Sequence, residues 1–269
     1  MTTKPRTLRA WALLFLVLLY VGFLILAPIG ALLRGAFREG LSAVWESLSA
    51  TPFLQSLWLS VWIALLVVLV QAVLGSITAW VLIRHDFIGK SLLNSLLDIP
   101  FAVSPVVVGY MLLLLFGRNG ILSPLLERLE IQVAFAVPGM FLATLFVSLP
   151  FMVREMLPVV AQLDRSQEFA AATLGAGSWT RFWKVIFPHI KTALIYGMTL
   201  TFARALGEFG AVLVIGGGVQ GRTETATLYI FRSLDERQNI DAYVGAVVLG
   251  CLSIGIVLLA DALKRRSTK

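Results

Sequence analysis

Long apolar segments alternate with short polar ones along the chain, and this pattern predicts its helices. Six segments are apolar over about 20 residues or more, the length that an α-helix needs to cross the hydrocarbon core of a membrane. Strands of a membrane barrel would be about half as long and would alternate in polarity, so the segments predict helices. The predicted spans cover residues 11–33, 57–83, 92–116, 133–153, 193–217 and 242–263.

The composition agrees with a membrane-embedded chain. Of the 269 residues, 58% are hydrophobic and 14% are charged, and the mean hydropathy is +0.88. Soluble domains are charged at about a quarter of their positions. We therefore expect an all-α integral membrane protein in which residues 1–269 form a single transmembrane domain surrounded by a lipid bilayer.

The net charge of +7 is distributed as a topology signal rather than as a nucleic-acid-binding patch. With the N-terminus inside, the segments between spans place an excess of basic residues on the cytoplasmic side, as the positive-inside rule requires. Both termini and the 154–191 loop are thus predicted to be cytoplasmic, and no nucleic acid is expected as a partner. The cytoplasmic set is Lys4, Arg6, Arg9, Arg84, Lys90, Arg154, Arg165, Arg181, Lys184, Lys191, Lys264, Arg265, Arg266 and Lys269, against Arg34, Arg38, Arg118, Arg128, Arg222, Arg232 and Arg237 outside.

The 154–191 loop contains a predicted pair of helices. An alanine-rich helix from Glu168 to Leu174 runs into a glycine break at Gly175, and Ser178 is placed to cap a second helix. Pro188 is expected to end that second helix. Its apolar residues recur at helical spacing on one face: Trp179, Phe182, Trp183, Ile186 and Phe187.

Two interpretations of this loop remain open from the residues alone. Small side chains at Ala170 and Ala171 let the backbone of a partner protein approach closely, which favours a docking surface. Alternatively, the second helix lies on the inner leaflet as an amphipathic helix, with Arg181 and Lys184 close to lipid phosphates.

The fifth predicted span carries two ionisable residues, Arg204 and Glu208. They are four residues apart, so they share a helical face and are spaced for an ion pair. Counted from a helix start near Ala193, Arg204 lies roughly 16 Å into the membrane, where charges usually face a cavity or a partner. Two interpretations remain: the pair lines a translocation path for an anion, or it is structural. Gly207 and Gly210 beside it permit a break that gates the path or close helix packing.

The third predicted span has a polar position among prolines. Asp98 lies close to Pro100 and Pro105, which are expected to kink the helix. Asp98 is a candidate for the cytoplasmic end of a translocation path. The alternatives are a helix cap or an ion-pair partner for Arg84.

Part of the 154–191 loop resembles the EAA loop of ATP-binding-cassette (ABC) importer permeases, whose pattern is E-A-A-x3-G-x9-I-x-L-P. Ala170, Ala171, Gly175 and Pro188 match it, and Val185 and Phe187 replace its Ile and Leu. The glutamate of the pattern falls on Phe169, and the nearest acid, Glu168, is displaced by one residue, or about 100° on a helix.

The resemblance extends to the sulfate/thiosulfate permeases of the CysW type. It rests on the segments LLDIPFAVSPVVVG (96–109), FVSLPFMVRE (146–155) and ARALGEFGAVLVIGGGVQGRTETATL (203–228), of which the GEFGA core is shared with molybdate permeases. It implies a type I importer fold (MetI-like) in the inner membrane, with cytoplasmic coupling helices. It also implies two ABC ATPase subunits, a second and often non-identical permease subunit, and a periplasmic substrate-binding protein. The implied cargo is sulfate or thiosulfate, with molybdate or tungstate as the alternative.

The residues predict no catalytic, metal or cofactor site. The Gly-Lys-Ser sequence at 89–91 has Arg84 where a nucleotide-binding P-loop requires its first glycine. His85 and His189 are far apart, and Cys251 is a lone cysteine, which provides no metal-ligand set. We expect a transport subunit without an ATPase site of its own. A secondary transporter, which would typically show repeat symmetry and substrate-facing charges in broken helices, is the rival from another class.

Overall fold

The computed structural model describes the backbone of residues 8–267 and the side chains of residues 10–262. The basic residues predicted near the two termini are outside the range of described side chains. Within the described residues helices are the only regular secondary structure, and there is no strand. A π-helical turn, Phe182–Ile186, joins the helix Ser178–Arg181 to the helix Phe187–Leu206. The helices are α1 Leu8–Ala36, α2 Leu41–Ser49, α3 Thr51–Arg84, α4 Lys90–Leu96, α5 Ile99–Ala102, α6 Pro105–Phe116, α7 Ser123–Arg128, α8 Val137–Ala161, α9 Arg165–Thr173, α10 Ser178–Arg181, α11 Phe187–Leu206, α12 Gly210–Gly216, α13 Ala226–Asp235 and α14 Asn239–Ser267.

Five helices are long and apolar enough to cross a membrane, and a bent pair is the sixth crossing if it counts as one span. The all-α prediction is thus confirmed, with shifted boundaries. The fourth predicted span, 133–153, continues to Ala161, so the polar loop after it is shorter than predicted. The five helices are Ala10–Ala36, Thr51–Arg84, Val137–Ala161, Ser178–Leu206 and Asn239–Ala262.

The third predicted span, 92–116, is wrong as a single helix. Residues Lys90–Ala102 and Pro105–Phe116 form two helical arms bent by 111°. Val103 and Ser104 between them are extended, with ψ values of 132° and 136°. A residue before proline is pushed out of the helical region by the proline ring, so Pro105 starts a new helix instead of continuing the old one.

The fifth predicted span, 193–217, is wrong at both of its ends. Pro188 does not end a helix, because the helical run extends from Ser178 to Leu206. The π-helical turn before Pro188 shifts the hydrogen-bond register, with Phe187 N–H bonded to the carbonyl of Phe182, and the chain thereby passes the proline without a break. At the other end the helix stops at Leu206, and a separate short helix, α12, begins at Gly210.

Helices α3, α8 and α11 pack against one another at the centre of the bundle. Met152 on α8 is fully buried between two glycines. A Cβ atom would lie 2.7 Å from Met152 Cγ if added at Gly75 of α3, and 2.8 Å from Met152 Sδ if added at Gly197 of α11. The glycines therefore let both neighbouring helices approach this side chain closely, as small residues do in membrane bundles.

The short helix α12 is held against α6 by a similar close approach. A Cβ added at Gly109 would lie 2.6 Å from the carbonyl oxygen of Ala211 on α12, and a backbone atom cannot move aside as a flexible side chain can. We expect Gly109→Ala to destabilise the protein by about 1–3 kcal/mol through overpacking, measured as a lower melting temperature in detergent.

Gly250→Ala is the matched control for Gly109→Ala. Gly250 lies on α14, and nothing is within 4 Å of an added Cβ, so this alanine should leave the melting temperature unchanged or raise it through higher helix propensity. Equal melting temperatures for the two variants would contradict the proposed close contact between α6 and α12.

Candidate functional site

The chain between α8 and α10, which we call the α9 segment (residues 162–177), begins with a capped helix. The carboxylate of Asp164 accepts a hydrogen bond from the N–H of Ser166 at 2.8 Å, so α9 starts at Arg165, three residues before the predicted start at Glu168. A hydrogen bond from the Ser166 hydroxyl, and then the one from its N–H, lower the pKa of Asp164. The helix thus has a defined N-terminus outside the bundle.

The end of α9 requires glycine. Gly175 N–H bonds to the carbonyl of Ala172, and Ala176 N–H bonds to that of Ala171, both at 3.0 Å; these two bonds form a Schellman motif. Gly175 has φ of +83°, in the left-handed region that disfavours residues with a Cβ atom. Gly177 is extended instead, with φ of −66° and ψ of 165°, a conformation that other residues adopt easily.

The expectation that Ser178 caps the second helix is wrong. Gly177 is the capping residue, and no side chain caps this helix. Ser178 lies within the first turn, where its hydroxyl accepts a hydrogen bond from Arg181 Nη2 at 3.3 Å. The turn is thus bonded to a side chain farther along the same helix.

The aromatic residues after the break form one connected cluster, as their spacing predicted. Trp183 has its ring centroid 5.7 Å from that of Trp179 and 4.8 Å from that of Phe187, and Phe182 contacts all three. Ile186 is buried in the core with Leu82 of α3 and Val153 of α8. The face is therefore split between an anchored end at Ile186 and an exposed end at Trp179.

The surface of α9 is open to a partner. No residue of α9 is buried; Ala170 is exposed, and Ala171 is partly exposed. Phe169 and Leu174 are both strongly exposed. Together with Trp179 of α10 they form an apolar surface outside the core, on the α9 segment and the first turn after it.

The displaced acid, Glu168, is bound to its own chain. Its Oε1 pairs with Nη2 of Arg84, the last residue of α3, at 2.5 Å. Arg165 adds a hydrogen bond from its Nη2 to the backbone carbonyl of Arg84 at 3.2 Å. The one-residue shift in the motif thus leaves Phe169 exposed and turns the acid towards the bundle.

Asp98 has neither of the partners expected for it. Its carboxylate pairs with Arg154 of α8, with Oδ1 3.0 Å from Nε and Oδ2 2.5 Å from Nη2, so the expected pairing with Arg84 is wrong. The cap interpretation is also wrong, because Asp98 precedes α5 without a capping bond from its side chain. Arg154 also donates to the side-chain oxygen of Asn94 at 3.0 Å, so this pair joins α8 to the junction of α4 and α5.

Arg204 and Glu208 form the ion pair that their spacing allowed, with Nη1 2.9 Å from Oε2; the Glu208 side chain is 2% exposed, and that of Arg204 is 28% exposed. Glu208 does not continue the helix, since α11 ends at Leu206. Its Oε1 instead accepts the N–H of Ala211 at 3.0 Å, at the start of α12. The carboxylate therefore bridges the break between α11 and α12.

The two glycines beside this pair have different surroundings. Gly207 lies in the break, and the nearest atoms to an added Cβ are 3.8 Å away. Gly210 is the first residue of α12, and an added Cβ would lie 3.0 Å from Val106 Cγ2 and 3.2 Å from Val106 N on α6. Of the two glycines, Gly210 is therefore the one that allows close helix packing, and it does so between α12 and α6 of this chain.

The polar segment 221–225 is largely buried, which sequence analysis did not foresee. Thr223, Glu224 and Thr225 are buried, and Glu224 pairs with Arg232 of α13 at 2.6 Å. The hydroxyl of Thr227, just after this segment, donates to the carbonyl of Glu208 at 2.7 Å. The segment therefore lies against the break between α11 and α12 that Glu208 bridges.

Comparison with solved structures identifies the fold. A bacterial alginate ABC transporter, solved in complex with an alginate pentasaccharide-bound periplasmic protein, has a subunit that superposes with a TM-score of 0.78 at 16% identity, covering 97% of this chain and 96% of that one. The inward-facing MetNI methionine ABC transporter gives 0.54 at 15% identity, covering 82% and 100%. The type I importer permease fold is thereby confirmed.

Sequence comparison identifies the family. Residues 71–269 match the family described as binding-protein-dependent transport system inner membrane component, and the chain belongs to it. The sulfate transport system permease protein CysW of Synechococcus elongatus is 42% identical over 264 residues, 98% of this chain and 92% of that protein. CysW of Escherichia coli K12 is 40% identical, over 98% and 90%. The chain is a multi-pass inner membrane permease subunit of the CysW type, and it is not itself an ATPase.

Proposed function

We propose that this permease carries sulfate, and thiosulfate with it, across the inner membrane as one subunit of an ABC importer. The observation that supports the cargo most strongly is identity of 40–42% over nearly the whole length of sulfate permeases from a cyanobacterium and from Escherichia coli. The aligned regions cover 98% of this chain, so the similarity is not confined to one segment. The cargo is thus proposed for the chain as a whole.

The family works with an ATPase and a substrate-binding protein. We propose two ATPase subunits, one periplasmic binding protein and a second, non-identical permease subunit. The permease CysT of Escherichia coli K12 is also 34% identical to this chain, over 93% of this chain and 90% of CysT. A single organism therefore has two different sulfate permeases that resemble this chain, which supports a heteromeric pair.

The α9 segment is the proposed docking site for an ATPase, in the cytoplasm with both termini. The charge asymmetry between loops supports this orientation, and the exposed apolar side chains of Phe169, Leu174 and Trp179 favour a protein partner at this surface. In the amphipathic alternative these residues contact lipid instead. Cross-linking from Trp179 separates the two, because a docking site yields an adduct with the ATPase.

The uninterrupted helical run from Ser178 to Leu206 supports a direct path for the coupling motion. Along a helix of this length Arg204 lies about 39 Å from Ser178, so a displacement of the whole helix at the docking surface moves the Arg204–Glu208 pair with it. Because Glu208 also holds the start of α12, we propose a structural role for the pair at the moving break. The Asp98–Arg154 pair is proposed to fasten the bent third span to α8.

Sulfate uptake by the complete importer tests the function. A strain without sulfate permeases of its own, supplied with this chain and its sister permease, ATPase and binding protein, should accumulate radiolabelled sulfate, and excess thiosulfate should compete. The control omits the ATPase and should show background uptake. Molybdate uptake without sulfate uptake would overturn the cargo, and sulfate uptake that persists without the ATPase would favour a secondary transporter.

A further inference from the structure

Arg84 occupies an enclosed position at the end of the longest described helix, α3. Its side chain is only 8% exposed, and its guanidinium lies 4.9 Å from the ring centroid of Trp80 on the same helix. Stacking on the ring and pairing with Glu168 fix the guanidinium in place. Arg84 is therefore a fixed contact point for α9, unlike a mobile surface arginine.

Polar side-chain contacts join α9 to α3, and no residue of α9 is buried in the core. Its side chains reach α3 through Glu168, paired with the Arg84 guanidinium, and Arg165, bonded to the Arg84 carbonyl. Both contacts end on one residue. A displacement of α9 is thus applied to α3 at Arg84.

The N-terminal half of α3 is bonded to residues 223–227, the segment that contacts the Glu208 break. Ser60 Oγ accepts the N–H of Ala226 at 2.7 Å, and the neighbouring Thr227 donates to the carbonyl of Glu208. Ser60 and Arg84 are 24 positions apart in the sequence, about 36 Å along the helix. Helix α3 therefore connects the α9 segment, bonded at Arg84, to the 223–227 segment, bonded at Ser60.

We propose that Arg84 is a positioning residue for coupling: through its pair with Glu168 it transfers motion of the α9 segment to α3, and through Ser60 to residues 223–227. This second route runs beside the helical run from Ser178 to Leu206, and it rests on the proposed docking of an ATPase at α9. The two routes move α11 and the 223–227 segment together, and both of these meet Glu208, one through Arg204 and the other through Thr227. Coordinated motion of this kind is what a switch between two discrete states uses.

Hydrogen exchange in the assembled importer tests the route without reference to the cargo. In the wild-type complex, ATP should change the exchange of backbone amides in residues 223–227. In Arg84→Gln and in Glu168→Gln complexes that change should be lost, while exchange in α9 still responds to ATP. Sulfate transported per ATP hydrolysed should fall by about fivefold or more, as expected when a coupling free energy is removed.

Lys90 and Asp86 provide a matched control within the same loop. They form an ion pair four residues apart, at 2.8 Å, but the side chain of Asp86 is 98% exposed, so water screens the pair. Its hydrogen bond joins the loop after α3 to α4 and does not reach α9. The double variant Asp86→Asn with Lys90→Gln should retain the wild-type exchange and the wild-type ratio of sulfate to ATP.

The outcomes separate this inference from the proposed function. An unchanged ATP response at 223–227 in both glutamine variants overturns the role of Arg84, as does an equal loss in the control pair. A wild-type importer that transports no sulfate overturns the proposed cargo, while the exchange data still decide on Arg84.

Discussion

Replacing Arg204 with methionine is expected to destabilise the permease by about 3 kcal/mol, because it leaves the buried carboxylate of Glu208 without its cation. The value is at the low end of the range for buried pairs, since the Arg204 side chain is 28% exposed and water screens part of the interaction. For a chain of this size the melting temperature in detergent should fall by about 5–10 °C.

The double variant Arg204→Met with Glu208→Gln is the informative control. A glutamine oxygen still accepts the N–H of Ala211, and it carries no charge that needs a partner, so most of the lost stability should return. If the pair is structural, sulfate uptake should return with it. A stable double variant without uptake would assign Arg204 to the translocation path, and an unaltered melting temperature in the single variant would contradict the buried pair.

The sequence predicted contacts within one turn of helix better than contacts between helices. The Arg204–Glu208 pair follows from a spacing of four residues, which helix geometry alone brings together. Arg84 and Asp98 were expected to meet each other, but each has a partner from a distant segment, 84 and 56 residues away. Such pairings depend on which helices pack together, and hydropathy along the chain contains no such information.

The boundaries of the spans show a related limit. Apolar composition located the membrane-crossing segments, because the bilayer demands a long run of such residues. Composition continues unchanged through Val103 and Ser104, where the backbone bends by 111°. Conversely, Pro188 suggested a helix end that a π-helical turn removes, and this turn lies where Ile186 is packed into the core. Breaks in these helices were therefore decided by backbone geometry and packing.

Replacing Gly175 with valine is expected to reduce sulfate uptake by about tenfold or more while ATP hydrolysis and membrane insertion persist. Its φ of +83° disfavours a Cβ by about 1–2 kcal/mol, and a β-branched residue there is a severe outlier. The Schellman bonds to Ala171 and Ala172 should open, so that α9 no longer keeps its angle to the helical run from Ser178. Uptake and ATP hydrolysis measured together in proteoliposomes check this.

Gly177→Val isolates the backbone conformation as the cause. An added Cβ meets nothing within 4 Å at either Gly175 or Gly177, so crowding within the chain is the same at both. Only Gly175 has a positive φ. If docking of the ATPase requires the fixed angle after α9, Gly177→Val should transport sulfate at close to the wild-type rate. Equal losses in both variants would instead mean that the partner needs an open surface at the glycines, and normal uptake in Gly175→Val would contradict transmission through a rigid α9 segment.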